Sequence, residues 1–452
     1  MSSLRSSPTA SKPIIYGVIH TLFLLASSNT AYGETFDSVL QLLPQPGWTR
    51  IRPGSKRVLS VGEFGAKGDG VTDDSQAFKN AWEIACSIPA RTRILIPAGS
   101  TYLVHPVDIA GPCRSRVTLM ISGTVIAPED PDAWIGLNRR KWLYFHGVNH
   151  LTIEGGGTIN GMGQEWWARS CKTNSSNAVT FHKCKNLKVK NLLIVNSQQM
   201  HMAFTSCMRV VASNLKVIAP AVSPNTDGIH ISASKGVKVK DTIIRTGDDC
   251  ISIVSNSSRI RIINIACGPG HGISLGKSNS WSQVRNVVVD TAFLSNTDNG
   301  VRIKTWQGGS GFASNIAFRN VMMENVSNPI IIDQYYCDSR LPCLNQTSAV
   351  KVENISFVHI KGTSATEEAI KFVCSDDSPC EGLYMEDIQL LPCVGEITTS
   401  LCWEAQGSSL GLVDPPACFS CSESFITQKV PSYSTIHSQR LGSSEYGRTA
   451  TQ

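Results

Sequence analysis

A chain of 452 residues with 17% charged and 7% aromatic residues, rich in glycine, valine, isoleucine, asparagine and serine, is neither disordered nor a helical bundle; its composition is that of a β-rich protein. The net charge of +6 comes with no basic run of the nucleic-acid type, which excludes a nucleic-acid partner. A mild positive excess suits a polyanion, or does no more than keep the chain soluble.

The first 33 residues read as a secretion signal. Arg5 and Lys12 lead, Ile14 to Ala26 is mostly apolar, and Ala31 and Gly33 are small residues before Glu34. The apolar run is too short to span a bilayer and no later segment qualifies, so no membrane partner is expected. Residues 34–57 form a lead segment punctuated by Pro44, Pro46 and Pro53. Val58 to Gly70 predicts a short strand and a glycine-rich turn. Asp73 to Cys86 predicts a helix, with Ala77, Phe78, Ala81, Trp82 and Ala85 at helical spacing and two aspartates at its positive end. Such a helix would cap the β region that follows, where a bare strand edge invites aggregation.

From Arg93–Pro97 and Val117–Ile121 onward a short unit repeats: alternating apolar residues, a polar residue, a second apolar run. The punctuating residues are Asn191, Asn214, Asp241, Asn264, Asp290, Asn320, His359 and Asp387. They lie 23, 27, 23, 26, 30, 39 and 28 residues apart, the period of a solenoid with loop insertions. Asn and Asp suit bends because they tolerate left-handed backbone. No helix-length amphipathic run separates the strands, which argues against a βαβ barrel. The fold class is therefore all-β: a right-handed parallel β-helix over residues 58–421, with like residues stacked about 4.8 Å apart and a short N-terminal capping helix. A two-sheet sandwich is the alternative. Residues 422–452 are polar and read as a mobile C-terminal tail.

Fifteen cysteines in a secreted chain imply disulfides. Neighbours in sequence suggest Cys171 with Cys184, Cys250 with Cys267, Cys337 with Cys343 and Cys374 with Cys380. The odd count leaves at least one thiol, and Cys207, in a strand-like run, is the candidate for a buried one. No CxxC pair or His/Cys cluster has zinc-ligand spacing, so neither metal nor cofactor is expected. Sequons stand at Asn174, Asn256, Asn325, Asn345 and Asn354.

Polar residues return at coil length between 225 and 304. They are Asn225-Thr226-Asp227-Gly228, Gly247-Asp248-Asp249, Gly270-His271-Gly272 and Arg302-Ile303-Lys304. Asp227 to Asp249 is 22 residues, Asp249 to His271 is 22 again, and Arg302 follows 31 later. Singly, each segment is ordinary: a turn, a solvated acidic pair, a loop, a strand face. At coil spacing they stack on one wall. Carboxylates one or two rungs apart suit acid–base hydrolysis of a glycosidic bond. Crowding would raise the pKa of one, which stays protonated as general acid while the others activate water. His271 can hold this charge arrangement. Asp248 and Asp249 would face opposite ways on a regular strand, and Gly247 would permit a bend that turns both outward. Arg302 and Lys304, two apart, face the same side and suit a uronic acid. Tyr336 adds an apolar face with a hydroxyl for a sugar ring.

These four segments resemble the four signatures of polygalacturonases, inverting glycoside hydrolases of pectin built on a right-handed parallel β-helix. The resemblance covers roughly residues 58–400. Phe64-Gly65-Ala66-Lys67-Gly68-Asp69-Gly70-Val71-Thr72-Asp73-Asp74 and Pro329-Ile330-Ile331-Ile332-Asp333-Gln334-Tyr335-Tyr336-Cys337 are similar to plant members. The resemblance implies Asp248 as general acid, with Asp227 and Asp249 positioning and activating water. It implies His271 as a supporting residue, Asn225, Arg302 and Lys304 as substrate binders, and Tyr336 as the family tyrosine. The implied protein is a secreted, monomeric wall enzyme. It would cut the α-1,4 bonds of pectin or polygalacturonate in endo fashion, during wall loosening or cell separation. A calcium-dependent pectate lyase and a non-catalytic pectin-binding wall protein are the alternatives. The four-signature match counts against the first, and the complete set of carboxylates against the second.

Overall fold

The computed structural model describes residues 57–419, apart from 139–140, 170–175, 277–280, 338–342, 345, 347 and 396. The secretion signal, most of the lead segment, the C-terminal tail, Cys171 and the sequons at Asn174 and Asn345 lie outside the described residues. The strands fall into two sheets, of seventeen and eleven strands. Each strand pairs in parallel with its counterpart one coil away: Ile229–Ser232 with Ile251–Ile253, that with Ile273–Leu275, and that with Asn299–Trp306. This is the right-handed parallel β-helix expected from the repeat.

Period-2 alternation builds the core. In Lys235–Arg245, Val237 and Val239 point inward at 1% and 0% exposure, while Lys238 and Lys240 point out. Register then stacks like on like: Leu187, Val210, Val237, Ile260, Val287, Ile316 and Ile355 form one inward column. Phe145, Phe181 and Phe204 form another, with ring centroids 5.1 and 5.5 Å apart. Each such buried side chain stabilises the fold by about 1.5–3 kcal/mol.

The bends fall where the punctuating residues lie. Asn191, Asn214, Asp241, Asn264, Asn320, His359 and Asp387 all have φ between 50° and 55°. Their side chains also bond from rung to rung: Asn214 Nδ2 donates to Asn191 Oδ1 at 2.8 Å, and Asn264 Nδ2 to Asp241 Oδ1 at 2.9 Å. Asp290 is the exception. The left-handed residue there is Thr291, and Asp290 instead accepts hydrogen bonds from Arg319 and Asn320.

The capping helix runs Ser75–Ser87 and buries the five residues the periodicity singled out. Trp82 Nε1 reaches Ala110 O at 2.9 Å, and a Cys86–Cys113 disulfide anchors the helix end. Asp74 stands at the helix N-terminus, as the sequence suggested, and serves it through its backbone, its carbonyl accepting from Phe78 N at 3.2 Å. Its carboxylate turns back to accept from the backbone of Lys67 and Gly68, fixing the glycine-rich turn.

Disulfides join Cys250–Cys267, Cys337–Cys343 and Cys374–Cys380 as expected, and also Cys402–Cys418. Cys184 is a correction. It is a free thiol at 0% exposure, not a partner of Cys171, because it occupies an inward position under the Phe145 and His182 carbonyls. Cys207 is the buried thiol expected.

Candidate active site

Asn225, Asp227, Asp248, Asp249, His271, Arg302, Lys304 and Tyr336 line one open cleft of about 530 Å³ on the eleven-stranded sheet. The loops entering three successive strands present the carboxylates and the imidazole. Backbone bonds set them on adjacent rungs: Gly228 N to Asp249 O at 2.9 Å, His271 N to Asp248 O at 2.7 Å, Cys250 N to Gly272 O at 2.8 Å. Glycine is required at this wall for close approach. A Cβ on Gly247 would lie 2.0 Å from the Ser223 carbonyl, and one on Gly272 1.9 Å from that of Asn299. Gly247 thus works through proximity and not through a left-handed bend. The buried Thr226 hydroxyl ties the first loop to Ser223, Thr246 and Gly247 N, and the Cys250–Cys267 disulfide braces the second.

The two adjacent aspartates have different surroundings. Asp249 lies deep, its side chain 4% exposed. It accepts from Arg302 Nη2 at 2.9 Å, Lys304 Nζ at 2.8 Å and Ser274 Oγ at 2.7 Å. The two cations expected to meet substrate at the cleft surface are therefore turned onto Asp249, and the Lys304 side chain is only 9% exposed. Tyr336 stands over this triad, with its ring centre 5.4 Å from Lys304 Nζ.

Asp248 lies nearer the opening. Its Oδ1 accepts from Asp249 N at 2.7 Å and faces His271 Nδ1 at 3.1 Å, while Oδ2 accepts from Asn225 Nδ2 at 3.2 Å. Burial pushes its pKa up, but the His271 hydrogen bond and charge, with the Asp249 amide and Lys304, outweigh it and hold the pKa at about 2. The Asp248 hydrogen bond raises His271 in turn, against burial and with help from Asp298 and Asp249. Asp227 shifts the other way. Burial raises it most, and the charges of Asp248 and Asp249 add to this, against the His230 side chain. In the free site, then, burial above all favours a proton on Asp227, while beside Asp248 the His271 imidazole is the better proton holder. The sequence-based reading put the raised pKa on the general acid, and it could not see the imidazole 3.1 Å from that carboxylate.

Four contributors escaped the sequence reading. His230, Ser252 and Ser274 form an outward column in register with Arg302. Ser252 Oγ donates to Asp227 Oδ2 at 2.7 Å, and Arg302 Nε to Ser274 Oγ at 3.0 Å. Their spacings of 22, 22 and 28 residues carry the same coil-length signal that revealed the aspartates. Asp298 faces His271 Nε2 at 3.1 Å, and nothing in its local sequence marks it. Beneath the cleft, His201 is fully buried with its Nδ1 at 3.0 Å from Asp227 O, and burial lowers its pKa to about 4.

A parallel β-helix bearing three carboxylates and an imidazole in one open groove has the form of a polysaccharide hydrolase. Comparison with known proteins specifies it further: residues 86–408 match the family model for glycosyl hydrolases family 28, and the chain belongs to that family. It is 62% identical to a probable polygalacturonase of Arabidopsis thaliana, over 92% of this chain and 97% of the relative. It is 51% identical to a polygalacturonase of Persea americana, over 76% of each. Among solved structures, the endo-xylogalacturonan hydrolase of Aspergillus tubingensis superposes with a TM-score of 0.67 at 24% identity, over 81% of this chain and 98% of the other.

Proposed function

We propose that the protein is a polygalacturonase that hydrolyses α-1,4-galacturonosyl bonds of pectin with inversion, acting outside the cell on wall polysaccharide. The observation that carries the chemistry is the division of labour among three carboxylates on neighbouring rungs. Asp248 faces the His271 imidazole at 3.1 Å beside the cleft opening, and that neighbour can supply the proton Asp248 passes to the leaving glycosidic oxygen. Asp227, raised by burial, is when ionised the readier acceptor for a proton from the attacking water. Asp249, gripped by Arg302 and Lys304, fixes the water's position rather than taking its proton. Water adds to the anomeric carbon as the bond to the leaving oxygen breaks. Asp248 relays to that oxygen the proton it receives from His271, which is left neutral, and Asp227 gains one from the water.

The substrate assignment is supported by the polygalacturonase names of the relatives. The five disulfides among the described residues support an oxidising, extracellular setting. An open groove that admits the middle of a polymer supports endo action. The lyase alternative needs calcium held by six to eight oxygens. Here Asp249 is already paired with two cations, and Asp248 is engaged by the Asp249 amide and the His271 imidazole. The test is the product profile on polygalacturonic acid, with NMR following the anomer released first. The β-anomer and a ladder of oligomers are expected. Release of the α-anomer, or of unsaturated ultraviolet-absorbing products abolished by chelator, would overturn the reading.

A further inference from the structure

Outside the cleft, positive charge collects on one face. Residues 183–285 hold fourteen lysines and arginines but four acidic residues, of which three are Asp227, Asp248 and Asp249. The cations are ordered by the coil. One outward column runs through Thr152, Lys188, Val211, Lys238 and Arg261. Two residues earlier, at the bend, Arg209 and Arg259 are both held in left-handed backbone at φ 56° and 57°. On successive rungs the cation alternates between columns: Lys188 on the strand, Arg209 at the bend, Lys238 on the strand, then Arg259 and Arg261 together. Arg116 continues the bend column two rungs before Lys188. The ladder spans five rung steps, about 24 Å at about 4.8 Å each.

These side chains are available. Arg116, Lys188, Arg209, Arg259 and Arg261 are exposed and Lys238 is half-buried. None of the six forms an ion pair among the described residues, and Arg209 is only steered, by a 2.6 Å bond from Nε to Asn186 Oδ1. The nearby acidic groups are already engaged: Glu154 with Lys190 at 2.9 Å and Asp241 with Lys240 at 2.7 Å. Arg116, Lys188, Arg209 and Lys238 line a shallow groove of about 470 Å³. The bend at residues 233–236, with Ala233 and Gly236 both at positive φ, separates this face from the catalytic sheet. Uncompensated like charges on a rigid wall repel one another, so the ladder costs stability unless a polyanion covers it.

We infer that this face is a second, non-catalytic binding surface for a linear polyuronate, the polymer class proposed above for the cleft. The inference rests on that reading for the identity of its polymer. A polyuronate carries one carboxylate per sugar ring along an extended chain, which suits a ladder of cations set one or two rungs apart. Apart from the His150 imidazole in the bend column, the two columns hold no aromatic ring on which a nucleic-acid base could stack. The face is built of strands, with no amphipathic helix to enter a lipid headgroup layer. Such a surface would keep the enzyme on the wall polymer between cuts.

The test compares Lys188→Gln/Lys238→Gln/Arg261→Gln with the parent protein, both in an Asp248→Asn background so that the matrix survives. Each is applied to immobilised polygalacturonate at about 50 mM NaCl, where surface charge is weakly screened, with trigalacturonate saturating the cleft. The parent should stay bound, and the triple variant should lose about tenfold in retention, the scale of a few exposed charge contacts. With Asp248 restored, kcat/KM on trigalacturonate should agree between the two within about twofold, as for distant sites. If the triple variant secretes poorly, Arg261→Gln alone should shift retention in the same direction by less. Equal retention of parent and variant, or elution of the parent by trigalacturonate alone, overturns the inference. So does tighter binding to DNA-cellulose or to phosphatidylserine vesicles than to polygalacturonate at the same salt. An enzyme that failed to cut polygalacturonate yet lost retention in the variant would sink the proposed activity and leave this surface standing.

Discussion

The strands at the centre of the molecule carry two columns in one register. The inward column, Ile229, Ile251, Ile273 and Val301, is 0% exposed throughout. The outward column, His230, Ser252, Ser274 and Arg302, lines the cleft. The same coil-length return builds both, but the physics differs. Inward contacts are non-directional, so any apolar residue of the right volume serves. Outward contacts are directional hydrogen bonds and ion pairs, so the atom matters as well as the size. The inner column should therefore set stability and the outer column chemistry, and substitutions can test where that division holds.

The largest effect should come from Asp248→Asn, at the mouth of the outward side. Turnover should fall by about 10²–10⁴-fold through loss of the proton donor. The depressed pKa of Asp248 also links it to stability. A carboxylate lowered from 3.8 to about 2 stabilises the fold above pH 3.8, and that contribution fades as pH falls through about 2. The substitution should therefore cost no more than about 2.5 kcal/mol in denaturant unfolding at neutral pH. A variant that still turns over polygalacturonate within about tenfold of the parent would remove Asp248 from the acid role.

Lys304→Ala should break the division from the outside. Lys304 sits on the outward face, yet it is buried against a carboxylate that is 4% exposed. Removing it leaves Asp249 with Arg302 as its one cation, beside the Ser274 hydroxyl, and breaking a buried ion pair costs about 3–5 kcal/mol. Both the melting temperature and turnover should fall. A loss of substrate affinity with unchanged melting would return Lys304 to the surface-contact role that the sequence suggested. Ile251→Ala, in the inward column at 0% exposure, is the complement. Stability should drop by about 2–5 kcal/mol, while kcat/KM per folded molecule holds. A selective loss of kcat at full stability would show that the inner column tunes the chemistry as well.

Much of this was legible in the sequence because a solenoid turns sequence period into spatial register. The 22-residue returns put Asp227, Asp249 and His271 on neighbouring rungs, and the Asn and Asp punctuation marked the left-handed bends. Short-range polar pairing was less legible. Nothing in the spacing says that Lys304 turns onto Asp249 instead of out to solvent, or that His271 bridges Asp248 and Asp298. The Cys171–Cys184 expectation failed for a related reason: proximity in sequence says nothing of which way a residue points, and Cys184 points inward. The outward serines were present at the right spacing, but serine is common and carries no charge to single it out.

The smallest effect separates a positioning role from a structural one. Asp298 touches the other end of the His271 ring, at 3.1 Å from Nε2, and its side chain is 70% exposed. Its negative charge helps to raise the His271 pKa, behind the larger contribution of the Asp248 hydrogen bond. If His271 must be protonated to keep Asp248 supplied, activity is lost as pH rises through the His271 pKa. Asp298→Asn removes a raising influence, so that pKa falls and the alkaline limb of the kcat/KM profile moves to lower pH. At about pH 5, below the ordinary imidazole range, the imidazole stays charged in both proteins and the rates should nearly coincide. A residue that merely shaped the loop would instead depress the rate evenly at every pH and leave the limb in place. An unmoved limb, or one displaced to higher pH, would dissociate the His271 proton from the step that cleaves the bond.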